Sequence, residues 1–74
     1  MKCIRTRFIP ATNTRGSRIS ADDGDGNKVT LSWDHALSTT GNHGSAVNAL
    51  CEKMAWTGKM KMGWHRNYGY WVFI

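Results

Sequence analysis

Seventy-four residues leave room for one domain and one small core. Ten Lys and Arg against five Asp and Glu give a net charge of +5, which favours an acidic partner, either nucleic acid or an acidic protein surface, unless it serves solubility alone. No run approaches the roughly 18 apolar residues of a membrane span, and the first ten residues, MKCIRTRFIP, hold no apolar signal-peptide core. No membrane partner is therefore expected. The chain is read as cytoplasmic, in a bacterial host cell, with Cys3 and Cys51 reduced.

At this length burial and chain entropy nearly cancel. The four Trp, two Tyr and two Phe, weighted toward the C-terminus, suffice for one core, and a homodimer would bury more of them. Residues 2–9, KCIRTRFI, alternate: Ile4, Thr6 and Phe8 point one way, Cys3, Arg5 and Arg7 the other, the pattern of a half-buried strand. Pro10 has no N–H for a ladder and ends it. RGSRISAD, residues 15–22, reads as a weaker second strand with Ile19 and Ala21 inward. DDGDGN supplies the strongest turn signal, because its Asp-Gly pairs tolerate the positive φ that tight hairpins need. KVTLSW, residues 28–33, is the third strand, with Val29, Leu31 and Trp33 on one face.

Residues 38–44 read as polar and irregular, and Asn42 or Ser45 is the expected helix cap. Ala46, Val47, Leu50, Cys51 and Met54 then form one helical stripe, which Gly58 ends. KMKMGWHR alternates again, with Met60, Met62 and Trp64 inward and Lys59, Lys61 and His65 outward. A turn at Asn67-Tyr68-Gly69 leads to YWVFI, a last strand apolar on both faces. The order β-β-β-α-β-β predicts an α+β domain spanning residues 1–74, an antiparallel sheet of about five strands packed on one helix.

Candidate chemistry is sparse. Asp23, Asp25, Asn27 and Asp34 fall at calcium-loop positions, yet Lys28 stands where the sharp turn needs Gly and the flanks are strands. A hairpin explains the same composition. Cys3, Cys51, His35, His43 and His65 show no paired zinc-ligand spacing. Asp34 and His35 are sequence neighbours that a strand would send to opposite faces, so they make no acid–base pair. The expectation is no catalytic residue, no metal and no cofactor.

The arginines carry more. Arg5 and Arg7 share the outward face of strand one, and Arg15 and Arg18 flank the glycine of the following loop. Guanidinium groups pair bidentately with phosphates and carboxylates. Thr12, Thr14, Ser17 and the Gly16-Ser17 backbone add neutral donors. The expected partner-binding set is Arg5, Arg7, Asn13, Arg15, Ser17 and Arg18, against the plainer reading of a solvated sheet face with a mobile loop.

Thr6, Arg7, Phe8, Thr12, Asn13, Thr14, Gly16, Ser17, Arg18, Ile19 and Ala21, followed by Asn42, His43, Ala46, Leu50, Lys53 and Trp56, make a pattern that resembles a group of short proteins carried by phages, plasmids and other mobile elements. The likeness covers about two thirds of the chain and departs at Ala55, where the pattern has glycine. It implies a small non-enzymatic protein similar to anti-CRISPR inhibitors, whose partner is a bacterial defence complex. The alternative is a basic DNA- or RNA-binding accessory protein using the same face. Three strands followed by a helix also resemble the DNA-binding modules of AP2 factors and some phage integrases, which lay a sheet in the major groove. In that likeness Arg5, Arg7, Arg18 and Trp33 would read DNA, although alternation turns Trp33 inward.

Overall fold

Strand one is made by its alternation, and its β-branched and aromatic residues enforce it. In a computed structural model that describes residues 3–74, β1 runs Cys3–Ile9 with Ile4 and Thr6 wholly buried. Lys2, expected at the head of this strand, lies outside the described residues. β2 (Arg18–Asp22), β3 (Lys28–Ser32), α1 (Thr39–Met54), β4 (Met60–His65) and β5 (Tyr68–Phe73) follow. The sheet order is β3-β2-β1-β5-β4 and every neighbouring pair is antiparallel. The expected α+β architecture of a five-stranded sheet and one helix is what the chain adopts.

After α1 the chain returns through β4 to place β5 against β1, so the first and last strands lie inside the sheet. The helix rests on β1, β2 and β3. Ile4, Ile19 and Ala21 of the sheet meet Ala46, Val47 and Leu50 of the helix, with Val29, Leu31, Trp33, Trp71 and Phe73 packed around them. Full burial of each large aliphatic side chain here contributes about 1.5–3 kcal/mol. Gly69 lies opposite Thr6 in the register, and a Cβ there would overlap Thr6 Oγ1, so the close approach of β5 to β1 requires glycine.

Several boundaries differ from the sequence reading. The helix starts at Thr39 and its cap is Ser38, whose Oγ accepts from the Gly41 N–H at 3.0 Å; neither Asn42 nor Ser45 caps it. Thr39-Thr40-Gly41 has low helix propensity and hid that turn. Asn42, inside the helix, is buried and binds backward: its amide donates to the carbonyls of Asp34 (2.9 Å) and Ser38 (3.1 Å), and its Oδ1 accepts from the Asp34 N–H (2.8 Å). The helix stops at Ala55, in the left-handed region at φ 57°, and not at Gly58. There the N–H groups of Ala55 and Trp56 bond the carbonyls of Glu52 (3.3 Å) and Cys51 (2.9 Å), a Schellman arrangement. β2 starts three residues later than expected, at Arg18.

The last turn is also displaced. Arg66 and Asn67 take the positive φ values, 52° and 71°, of a two-residue hairpin, so Tyr68 and Gly69 belong to β5. In the DDGDGN hairpin Gly24 and Gly26 have positive φ, and the Asp23 carboxylate accepts from the N–H groups of Asp25 (2.8 Å) and Asn27 (3.2 Å) and from the Asn27 amide (2.8 Å). That carboxylate organises a turn.

Candidate functional site

The helix covers one side of the sheet, and register defines what stands on the other. Arg5 lies between Asp22 of β2 and Tyr70 of β5, and Arg7 between Ser20 and Tyr68. Arg18, Lys28, Lys61 and His65 occupy the same face on β2, β3 and β4. Asp22 is the one acid at the described strand positions of this face. A predominantly cationic field follows, and it disfavours a second copy of the same face.

Aromatic rings are interleaved with these charges. The Arg5 guanidinium carbon sits 5.4 Å from the Tyr68 ring centroid, within cation–π range. Tyr68 and Tyr70 meet edge to face at 6.5 Å, and His65 lies 6.3 Å from Tyr70. Arg5 also approaches Asp22 at 3.5 Å, a long and exposed contact that holds the guanidinium weakly. Arg7 has no acid partner among the described residues. Two buried atoms of this face, Ser20 Oγ and Arg18 Nε, have no hydrogen-bond partner, so the face holds polar capacity that the protein does not use.

The six expected contact residues fall in two places. Arg5 and Arg7 line a hollow with Asp22, Asn27 and Lys28 on the open face. Arg15, Ser17 and Arg18 line another at the end of the sheet with Gly16, Ser32 and His35. Strand one does lie beside strand two, yet the four arginines do not meet in one pocket. Asn13 is exposed in the intervening loop. Thr12 holds that loop: its Oγ1 accepts from the Arg15 N–H at 3.1 Å, and its own N–H donates to the Arg15 carbonyl at 2.7 Å.

Sequence reasoning placed Tyr68 in a turn, left open an exposed patch of Trp64, Tyr68 and Trp71, and gave Tyr70 no role. The alternation of Tyr68 and Tyr70 becomes visible once the turn is moved to Arg66-Asn67. Trp64 and Trp71, by contrast, belong to the helix side, since Trp71 pairs with Ile4 and Trp64 with Gly69. There a second unforeseen group lies buried. His43 Nδ1 is 2.6 Å from Thr6 Oγ1, which also accepts from Trp71 Nε1 at 3.1 Å and donates to the Gly69 carbonyl at 3.3 Å. Burial holds the His43 pKa below its ordinary value, so the ring is neutral at neutral pH. No three His, Cys, Asp or Glu side chains come together among the described residues. Asp34 Oδ1 accepts from the Ala36 N–H at 2.9 Å and does not orient His35.

Comparison with known proteins adds no relative: no family model matches the chain, and neither a curated protein nor a solved structure matches it. Function has to be argued from the surface itself.

Proposed function

We propose that the uncovered sheet face binds single-stranded nucleic acid. The observation that carries this reading is the interleaving on adjacent central strands: Arg5 and Arg7 of β1 alternate with Tyr68 and Tyr70 of β5, under a field opposed by Asp22 alone among the described strand residues of that face. Phosphates take the guanidinium groups, and unstacked bases take the ring faces, as on other stacking platforms. A rigid sheet supports it better than a loop would. No catalytic role is proposed.

A second reading uses the same residues. The mobile-element likeness points to inhibition of a bacterial defence complex by occupying a macromolecular surface, and the Arg5–Tyr68 pair favours it, because Arg and Tyr are the usual anchors of protein interfaces.

Fluorescence anisotropy with a labelled single-stranded oligonucleotide tests the first reading. Four phosphates engaged by Arg5, Arg7, Lys28 and Lys61 correspond to a roughly fiftyfold loss of affinity between about 50 and 200 mM salt. Arg7→Ala lowers the salt slope by about 0.7. Tyr68→Ala weakens binding by about 1–3 kcal/mol at every salt concentration. Binding that ignores both substitutions rejects the reading. A stoichiometric, nuclease-resistant protein partner recovered from bacterial lysate, and lost with Arg7→Ala, transfers the face to the inhibitor role.

A further inference from the structure

On the helix side, at the opposite end of the sheet from the DDGDGN hairpin, a cavity of about 450 Å³ is lined by Phe8, Trp33, Thr39, His43, Trp64 and Asn67. Its aromatic members form a connected set. Phe8 and Trp33 lie 5.0 Å apart edge to face, Trp33 and His43 6.4 Å, and His43 and Trp64 4.7 Å. Phe8 and Trp64 nonetheless remain 43% and 48% exposed. Two large rings at the mouth of a hollow, each almost half in water, are unusual in a chain this short of core.

Trp33 is also a wall of the adjoining hollow of about 470 Å³ that Arg15, Gly16, Ser17, Arg18, Ser32 and His35 line. Its backbone N–H donates to the Ser17 carbonyl at 3.0 Å, which ties the two hollows together through one rigid residue. An aromatic hollow therefore opens beside a cationic one.

From this juxtaposition we infer a nucleotide site, with the base in the aromatic hollow and its phosphate between Arg15 and Arg18. A planar base gains from ring faces and edges, and a pocket of this size suits a ligand of that class. Thr39 offers a hydroxyl and Asn67 an amide, and His43, engaged by Thr6 at Nδ1, has no partner at Nε2 among the described residues. These groups can donate to and accept from a base edge. A quaternary ammonium ion also favours aromatic walls. Here it would meet Arg15 and Arg18 without a lining carboxylate, since Asp34 turns its Oδ1 onto the Ala36 N–H. Charge selects the anion. The site shares Arg18 with the open sheet face but neither Arg7, Tyr68 nor any of its aromatic walls, so it does not rest on the function proposed above.

Isothermal titration of the full chain with AMP, CMP, GMP and UMP tests the inference, with adenosine and inorganic phosphate as part-ligands. At least one monophosphate binds saturably and at least tenfold more tightly than its nucleoside. Trp64→Ala and Arg15→Ala, both at exposed positions, each weaken it roughly tenfold, the scale of one lost stacking or charge-assisted contact. Circular dichroism confirms that the variants fold. The oligonucleotide affinity of the sheet face is unchanged by Trp64→Ala, so the two sites fail or succeed separately. A 5′-phosphorylated oligonucleotide that competes more strongly than the monophosphate assigns the site to a strand end, and equal competition assigns it to free nucleotide. Absence of saturable binding for all four monophosphates in the millimolar range overturns the site. Binding indifferent to both substitutions overturns it equally.

Discussion

His43 Nδ1 and Thr6 Oγ1 lie 2.6 Å apart across the boundary between helix and sheet, both in side chains with essentially no exposure. The Thr6 hydroxyl is the hub, since Trp71 Nε1 donates to it and the Gly69 carbonyl accepts from it. Thr6→Val keeps the shape and removes the hub, leaving an indole N–H and an imidazole nitrogen buried without a partner. The expected cost is about 2–3 kcal/mol, most of it desolvation without compensation. Thr6→Ser retains the hydroxyl and loses less. Urea denaturation ranks the three proteins, and a Thr6→Val chain as stable as the parent would remove the hub from the account.

The same burial makes stability depend on pH in a stated direction. His43 protonates near 6.5 when unfolded and at a lower pH when folded. Between those two values the unfolded chain binds more protons, so folding weakens as pH falls below about 6.5 and is unaffected by His43 above about pH 7. Thermal melts at pH 7.5 and pH 5.5 should show the lower midpoint at pH 5.5, and an imidazole NMR titration should place His43 below 6.5. A His43 resonance titrating at or above 6.5 contradicts the desolvated site.

Ala55 holds a left-handed backbone at φ 57° and ψ 35°, which costs an L-residue with a Cβ about 1–2 kcal/mol. Glycine carries no such cost but loses more chain entropy on folding, about 0.4–1 kcal/mol. Ala55→Gly should therefore stabilise the protein by about 0.5–1 kcal/mol, seen as a higher urea midpoint at unchanged slope. A lower midpoint would mean that the Schellman turn is relaxed in solution.

Element order was legible because alternation at Ile4 and Thr6 and the stripe through Ala46, Val47 and Leu50 report burial directly, whereas Phe8 keeps the same face but stays 43% exposed. What failed were places where backbone chemistry overrides side-chain pattern. Ser38 caps a turn of poor helix formers, and Arg66-Asn67 makes a hairpin turn without any glycine. The second failure mattered for the site: moving that turn by one residue flips Tyr68 from a loop onto the sheet face. Arg5 and Arg7 were readable from β1 alone. Their aromatic companions come from a strand more than sixty residues later, and no local period encodes that pairing.

The two thiols should react at different rates. Cys3 is exposed on the outward face of β1, whereas Cys51 is half-buried against the core, where desolvation raises its pKa. At neutral pH a thiol reagent such as 5,5′-dithiobis(2-nitrobenzoate) should label the native protein in a fast phase of one equivalent and a slow phase of one more. Cys3→Ser removes the fast phase. Two equal fast phases would mean that the end of α1 opens readily.

Asn42 ties the segment between β3 and α1 to the helix, and that segment carries Trp33 and His35, which line the two adjoining hollows. Its Oδ1 accepts one backbone N–H, and its amide nitrogen reaches the carbonyls of Asp34, Leu37 and Ser38. Asn42→Ala removes all of these at a buried position and should cost about 2–3 kcal/mol. Asn42→Asp is the sharper test. It keeps the acceptor for the Asp34 N–H but sets a carboxylate against carbonyl oxygens, so it should cost at least as much as alanine despite its favourable charge near a helix N-terminus. Hydrogen exchange at the Asp34 and Leu37 amides, the latter bonded to the Asp34 carbonyl at 3.1 Å, should accelerate in both variants while the Ile4 and Ile19 amides stay protected. If Asn42→Asp matched the parent in stability and exchange, the dipole would outweigh the amide bonds, and Asn42 would be an N-terminal charge position and not the anchor of the loop.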